Sequence, residues 1–280
     1  MTYVGACIMG ILQGITEFLP VSSSGHLAIF SQVFGFSPPG EHDLLFDIML
    51  HLGTLIAVFI AYYGDILDVI KEFFLSVKDI FTGQFSFKGT SPSRRFLFMI
   101  ILATMPLVLI LPFNDAIEKV ANTLWLVGIF LLTTGFLLFL SDSIIRGNRR
   151  ENNTTCTNAL TVGLFQVLGT LPGISRSGAT ITGGLLSGFE REYAVKFSFI
   201  MSIPAVLGAS LLSFFDVIKE NTVPDATVGM YVAGIVTSTV SGYLSIRILR
   251  MILKHDKFKY FAYYCFGMGA FVIIRSILRS

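Results

Sequence analysis

The segment "EFLPVSSSGHL", residues 17–27, sets a carboxylate, three consecutive serines, a glycine and a histidine inside a strongly apolar chain. A second polar interruption, "LPGISRSG" at residues 171–178, places an arginine among serines and glycines. Each lies in the middle of a longer apolar region, 3–36 and 158–190, and the reading of these two breaks decides the fold. A helix needs about 20 apolar residues to cross the hydrocarbon core. Six other stretches reach that length: 44–63, 94–112, 122–141, 194–215, 228–248 and 260–279. Regions 3–36 and 158–190 are long enough but broken, so they are read as hairpins that enter the membrane and turn back.

Composition points the same way. The 280 residues are 53% hydrophobic and 14% charged, with a mean hydropathy of +0.74. Soluble domains carry roughly 25% charged residues. A net charge of +2 gives no case for nucleic acid as a partner. Cys7, Cys156 and Cys265 are far apart, odd in number and without metal-ligand spacing, so they read as apolar fillers. The first twenty residues lack a basic leader, and Gln13 and Glu17 interrupt their apolar run, so they are read as mature structure and not as a signal peptide. The expectation is one all-α integral membrane domain over residues 1–280.

The two breaks resemble each other. A shift of 153 residues lays Gln13 on Gln166, Ser22 on Ser175, Ser24 on Ser177 and Gly25 on Gly178, with Pro20 and Pro172 one residue out of step. Each broken region is followed by three full spans, which divides the chain into a first repeat, 1–141, and a second, 158–280. A re-entrant hairpin returns the chain to its starting side, and three spans then cross the membrane an odd number of times. The second copy is therefore expected to be inverted, an architecture known among membrane transporters. Irregular backbone at membrane depth is tolerated only where protein buries it or a wet cavity faces it. The two breaks should accordingly meet near the midplane from opposite sides.

Basic residues set the orientation. Fifteen fall on one side of this topology: Lys71, Lys78, Lys88, Arg94, Arg95, Arg146, Arg149, Arg150, Arg191, Lys196, Arg247, Arg250, Lys254, Lys257 and Lys259. Only Lys119, Lys219, Arg275 and Arg279 fall on the other, and Arg176 lies in the second break. The positive-inside rule makes the rich side cytoplasmic. Both termini are then outside a plasma membrane, with the first hairpin opening to the extracytoplasmic face. The connection 64–93 has charges spaced like an amphipathic surface helix but is read as a solvated cytoplasmic loop. "RRENN" at 149–153 and "KHDKFKY" at 254–260 read as basic loops at the headgroups. The sequons at Asn152 and Asn153 fall on the cytoplasmic side, where no sugar is expected.

Ionisable residues inside a membrane are costly and usually functional. In the broken segments they are Glu17, His26 and Arg176. Ser23 and His26, three apart, share a face and can touch if a helix restarts after Pro20. A hydroxyl beside an imidazole is the elementary pair for nucleophilic catalysis, and Arg176 adds a planar fork of donors suited to phosphate or carboxylate. Gly25 and Gly178 allow backbone to approach a ligand. Half-helix N-termini favour an anion, and Ser22, Ser24, Ser175, Ser177 and Thr180 offer further donors. Together they describe a phosphate site reached from within a bilayer, and a lipid phosphate is its expected ligand. Structural readings stand beside each element: serines bonding back to the i−4 carbonyl, a satisfied core histidine, or Arg176 paired with Glu17. Asp47 and His51, at i and i+4 on the first span, read equally as a second polar contact to the site or as a structural pair.

"QGITEFLPVSSSGHL" (13–27) and "LPGISRSGATITGG" (171–184) closely resemble the two signature segments of the undecaprenyl-diphosphatase family, also called the bacitracin-resistance protein. The likeness covers the whole chain in length and span order. It implies a membrane phosphatase that removes the terminal phosphate of undecaprenyl diphosphate, recycling the lipid carrier for cell-wall sugar assembly. It further implies a divalent cation, Mg²⁺ or Ca²⁺, and a reaction on the extracytoplasmic side. By motif, Ser23 would be the nucleophile, His26 its general base or acid, Glu17 a metal ligand or proton carrier, and Arg176 the phosphate clamp. Ser175, Ser177 and Thr180 would support the clamp. One position departs: many members begin the first motif with Glu, and here it is Gln13, which can ligate metal through oxygen but cannot act as a base. Polyprenyl diphosphate and membrane lipids are thus the expected partners, with a homodimer also compatible. The alternative is a transporter or flippase of polyprenyl phosphate using the same anion site. A nucleophile is what separates the two, since a carrier needs none.

Overall fold

The structure is a computed structural model, and it describes residues 2–34, 44–84, 90–143, 147–220, 227–253 and 258–279. Its regular elements there are helical: α1 (Tyr3–Phe18), α2 (Ser23–Phe34), α3 (Leu44–Ala61), α4 (Tyr63–Phe81), α5 (Pro92–Thr104), α6 (Asn114–Ala121), α7 (Leu124–Ser143), α8 (Cys156–Leu168), α9 (Arg176–Leu186), α10 (Arg191–Glu220), α11 (Val228–Leu253) and α12 (Phe258–Arg279). Five stretches are long and apolar enough to cross a membrane: Pro92–Phe113, Leu124–Ser143, Arg191–Phe215, Val228–Ile252 and Phe258–Leu278. Leu45–Ala61 and Tyr63–Phe81 reach that length and apolarity only together, as a pair bent by 94°, and make a sixth if counted as one span. Large apolar side chains such as Leu211, Phe214, Val236, Phe271 and Ile274 stand on the outer surface, where only lipid could cover so many without penalty. The chain is a multi-pass membrane protein.

The two broken regions are helix pairs. α1 has 16 residues and α8 has 13, about 24 and 20 Å at 1.5 Å per residue, too short to cross a core of about 30 Å. Proline ends the first: the residue before a proline is pushed to extended backbone, and Leu19, before Pro20, has φ −67° and ψ 136°. Prolines also reshape α5, which passes into a 3₁₀ stretch (Met105–Phe113) holding Pro106 and Pro112, neither of which can donate a backbone hydrogen bond.

The connection 64–93 departs from the expectation of a solvated loop. Ile66, Val69, Ile70, Phe73 and Phe74 recur at helical spacing, and α4 is a helix whose charges Glu72 and Asp79 are held by Arg94 at 2.9 and 2.7 Å. Local amphipathic period, anchored to the start of α5, outweighs the charge content.

Packing between spans relies on small residues. A Cβ on Gly14 would meet Ser241 Oγ at 2.1 Å and the Ser238 carbonyl at 2.5 Å, so α1 and α11 lie backbone to backbone. α7 and α12 are also close, since a Cβ on Gly128 would lie 3.1 Å from the Gly269 carbonyl. Small residues at such seams are the usual means of packing helices where lipid removes the hydrophobic drive.

At one end of the bundle Arg150, Arg191, Lys196 and Arg250 line a single cavity of about 890 Å³, so basic residues assigned to one side do share one end. Lys88, Arg146, Lys254 and Lys257 lie outside the described residues.

Candidate active site

The two breaks touch. A Cβ on Gly25 would lie 3.1 Å from Gly173 Cα, and one on Gly178 would lie 3.3 Å from Pro20 Cβ. Their local geometry is shared. Gly25 N–H donates to Ser22 Oγ at 3.2 Å, with Ser24 Oγ 3.4 Å from Ser22 Oγ. Gly178 N–H donates to Ser175 Oγ at 3.1 Å, with Ser177 Oγ 3.1 Å from Ser175 Oγ. Each leading serine thereby caps the half-helix that follows, satisfying one of its unpaired N–H groups. The turns into those caps differ. Gly173 takes φ 101° in the second break, while in the first Ser22 itself takes φ 73°, the one non-glycine left-handed residue among those described.

Glu17 is the hub. Its Oε2 accepts from Ser23 Oγ at 2.7 Å and from Gln13 Nε2 at 3.1 Å, and its Oε1 meets the Arg176 guanidinium. The Glu17 side chain is 6% exposed and that of Arg176 is 25% exposed, so the carboxylate is buried and the guanidinium partly so. Ser23 is half-buried and Ser24 exposed. Arg176 follows Ser175 at the start of α9 as Ser23 follows Ser22 at the start of α2, so the 153-residue shift lays the hydroxyl and the guanidinium on one another.

His26 is held elsewhere. Its Nδ1 lies 2.8 Å from the Ser22 carbonyl and its Nε2 2.7 Å from the Tyr264 hydroxyl. Both ring nitrogens are therefore engaged away from Ser23, and the contact expected from the three-residue spacing is not the one made. The i−4 carbonyl lies within reach of an imidazole Nδ1, as it also does for His51 and Asp47 on α3, and Tyr264 on α12 supplies the other partner, so the ring is taken before it can meet Ser23.

The other expected donors are inside the protein. Ser175 is 1% exposed, Ser177 5% and Thr180 1%. Thr180 Oγ1 donates to the Arg176 carbonyl at 2.8 Å and lies 2.6 Å from Ser198 Oγ. Thr180 thereby ties α9 to α10, while Ser175 and Ser177 bond to each other at the start of α9. Gln13 Oε1 and both amide atoms of Gln166 are buried with no hydrogen-bond partner among the described residues. No group of three or more His, Cys, Asp or Glu side chains is placed to hold a metal among them either. Of the polar pair on α3, His51 turns its Nδ1 to the Asp47 carbonyl at 2.8 Å.

Three contributors were not singled out from sequence. Thr134 on α7 accepts from Ser175 N–H at 3.0 Å and donates to the Gly173 carbonyl at 2.8 Å, pinning the second break. Tyr264 on α12 holds His26, and Ser198 on α10 backs Thr180. Each is one hydroxyl among several polar groups of a long apolar span, with no local motif to set it apart.

The family described as bacitracin resistance protein BacA matches residues 6–271. A protein of Alkaliphilus metalliredigens named undecaprenyl-diphosphatase is 43% identical over 279 residues, covering 99% of this chain and 100% of its own. One of the same name from Methanosphaera stadtmanae is 41% identical over 98% of each chain. Undecaprenyl-diphosphatase 3 of Bacillus cereus is 35% identical, over 98% of this chain and 97% of its own. With both breaks, their glycines and the Glu17–Ser23–Arg176 cluster inside the matched range, the chain belongs to the bacitracin resistance protein BacA family.

Proposed function

We propose that this protein hydrolyses the terminal phosphoanhydride of undecaprenyl diphosphate, releasing inorganic phosphate and leaving the monophosphate carrier for reuse. The observation that carries the reading is Ser23 Oγ donating to a buried carboxylate that also meets a guanidinium. In that reading Ser23 Oγ attacks the terminal phosphorus, the bridging P–O bond breaks, and undecaprenyl phosphate leaves as an anion needing no proton. The serine proton passes to Glu17, and water then cleaves the phosphoserine. Arg176, released from Glu17 by the incoming diphosphate, spreads over the equatorial oxygens, the kind of charge stabilisation phosphoryl transfer requires. Exposed Ser24 and the N–H groups at the two half-helix starts line the phosphate path. Ser22, Gly25, Ser175, Ser177, Gly178 and Thr180 hold that path's shape. A carrier of polyprenyl phosphate would need the arginine but not the serine–carboxylate pair, which favours the phosphatase.

Glu17 and the unpaired Gln13 Oε1 are hard oxygen donors that suit Mg²⁺ or Ca²⁺. A cation held there would draw its remaining ligands from the diphosphate and water, and when bound would neutralise charge on the phosphoryl oxygens.

The inverted repeat, 1–141 against 158–280, is part of this reading. It is supported by contacts that exchange under the 153-residue shift: Gly25 meets Gly173 while Gly178 meets Pro20. The braces exchange too, since Thr134 on α7 holds the Gly173 carbonyl and Cys265 on α12 approaches the Pro20 carbonyl at 3.9 Å. Between the halves α1 lies on α11 as α8 lies on α5, and α7 meets α12 across the middle. We place both termini outside the plasma membrane, on the charge count.

The test is phosphate release from undecaprenyl diphosphate in detergent by wild type, Ser23→Ala and Glu17→Gln, with and without Mg²⁺. Release by wild type alone is expected. Wild-type rates in Ser23→Ala would remove the serine mechanism, and an inactive wild type that still binds the lipid would hand the site to a carrier.

A further inference from the structure

We infer that Tyr264 on α12 is a positioning residue of this site: its hydroxyl fixes the His26 ring, and through that ring the turn that carries Ser23. The inference rests on the proposed reaction for its kinetic consequence and on the hydrogen bonds alone for its structural one.

The chain of contacts is short and directional. The Ser22 carbonyl receives the His26 backbone N–H at 3.1 Å and lies 2.8 Å from Nδ1. A carbonyl oxygen only accepts, so Nδ1 carries a hydrogen. In the neutral ring Nε2 is then the acceptor, and the Tyr264 O–H, 2.7 Å away, is its donor. The two rings are close to parallel, 11° apart with centroids at 5.6 Å, which leaves the imidazole little freedom to turn. His26 is 2% exposed, so no bulk water replaces the phenol if it is lost.

What the ring holds is a strained residue. A non-glycine side chain is disfavoured in the left-handed region, where its Cβ crowds the following carbonyl oxygen, and Ser22 sits there at φ 73°. Two donors on its carbonyl hold that conformation, and the next residue is Ser23, whose Oγ points at Glu17. An imidazole free to rotate would release one of those donors and loosen the start of α2. The residue after Tyr264 acts on the same break, with Cys265 Sγ approaching the Pro20 carbonyl. Two neighbouring positions of α12 thus brace both ends of the Pro20–Ser22 turn. At the second break one threonine, Thr134, does the equivalent work, and Gly173 supplies the left-handed residue without strain.

The experiment compares wild type with Tyr264→Phe, which keeps the ring and removes only the hydroxyl. Tyr263→Phe serves as control, its side chain being exposed on the outer surface. Phosphate release from undecaprenyl diphosphate should show kcat lowered about tenfold in Tyr264→Phe, the effect of one lost hydrogen bond of about 1.4 kcal/mol, with KM unchanged. Tyr263→Phe should match wild type. An unchanged kcat in Tyr264→Phe, or a raised KM with kcat intact, would overturn the inference, the latter by making the phenol a substrate contact. Thermal melting of Tyr264→Phe, His26→Ala and the double variant gives a readout that needs no activity. Coupled residues lose less together than the sum of their separate losses. Additive losses would overturn the inference even if the wild type hydrolysed nothing, and non-additive losses would uphold the brace while the reaction itself failed.

Discussion

Ser23 Oγ donates to Glu17 Oε2 at 2.7 Å although a broken helix lies between them. The break makes the contact. α1 ends at Phe18, the chain turns through Pro20 and the left-handed Ser22, and α2 restarts with Ser23 facing back toward the end of α1. In an unbroken helix residues six apart lie on different faces, so the carboxylate could not have reached the hydroxyl.

The Glu17–Arg176 pair yields a prediction about stability that separates it from catalysis. Removing one member of a buried ion pair leaves an uncompensated charge, typically about 3–5 kcal/mol. Arg176→Ala should therefore lower the melting temperature strongly, whereas Glu17→Gln with Arg176→Ala should recover most of it. Neither should release phosphate. Equal melting temperatures for the single and double variants would show that the pair is not what stabilises the contact between the breaks.

Arg176→Lys keeps the charge but loses the planar fork, which matches phosphate bidentately. A fall in kcat/KM of about 10²-fold is expected, as for the loss of one directed donor at a charged transition state. Wild-type turnover in this variant would show that a point charge suffices.

At the seam between α1 and α11, Gly14→Leu should be disruptive, because even a Cβ there meets the Ser238 carbonyl at 2.5 Å. Overpacking of a tight interface costs about 1–3 kcal/mol or more. A melting temperature unchanged from wild type, measured in the same detergent, would mean the helices can part at no cost.

Outside the spans, Glu151 gives a pH dependence. Burial raises its carboxyl, but hydrogen bonding and charge attraction from Lys196 outweigh that and hold it below its ordinary value of 4.5. A depressed folded value means the stabilisation is complete above the unfolded value and is lost as pH falls through the folded one. Melting curves between pH 6 and acid pH should fall more steeply below about pH 4.5 for wild type than for Glu151→Gln. Parallel curves would leave the Lys196 contact without thermodynamic weight.

The orientation can be read from a natural thiol. Cys156 is exposed at the start of α8, on the side rich in Lys and Arg. In intact cells it should resist an impermeant maleimide and react after permeabilisation. Labelling in intact cells would reverse the topology.

Much of this fold was legible in the order of residues. Apolar length gave the spans, because a helix in lipid must satisfy its own backbone and needs a fixed number of residues to cross. Proline and serine at 20–24 and 172–177 gave the two breaks, since proline ends hydrogen-bonded helix and serine caps a new one. The candidate residues Glu17, Ser23 and Arg176 stood out because charge and clustered hydroxyls are expensive at that depth. In connection 64–93 the amphipathic spacing was legible, but whether it forms a helix depended on Arg94 at the start of α5 holding Glu72 and Asp79.

Partners were another matter. Spacing predicts which side chains share a helix face, and by that rule Ser23 belonged with His26. The His26 imidazole is taken instead by the Ser22 carbonyl and the Tyr264 hydroxyl, and the serine meets a carboxylate on the preceding helix. Tyr264, Thr134 and Ser198 reach the site from spans 18 to 238 residues away along the chain. Nothing local marks them, because a hydroxyl in an apolar helix acquires a role only from what is packed against it. The sequence by itself determined where the helices run, where they break and which costly groups lie at the breaks. The tertiary structure decided which of those groups meet, because contact between the two breaks depends on helix packing that no local period encodes.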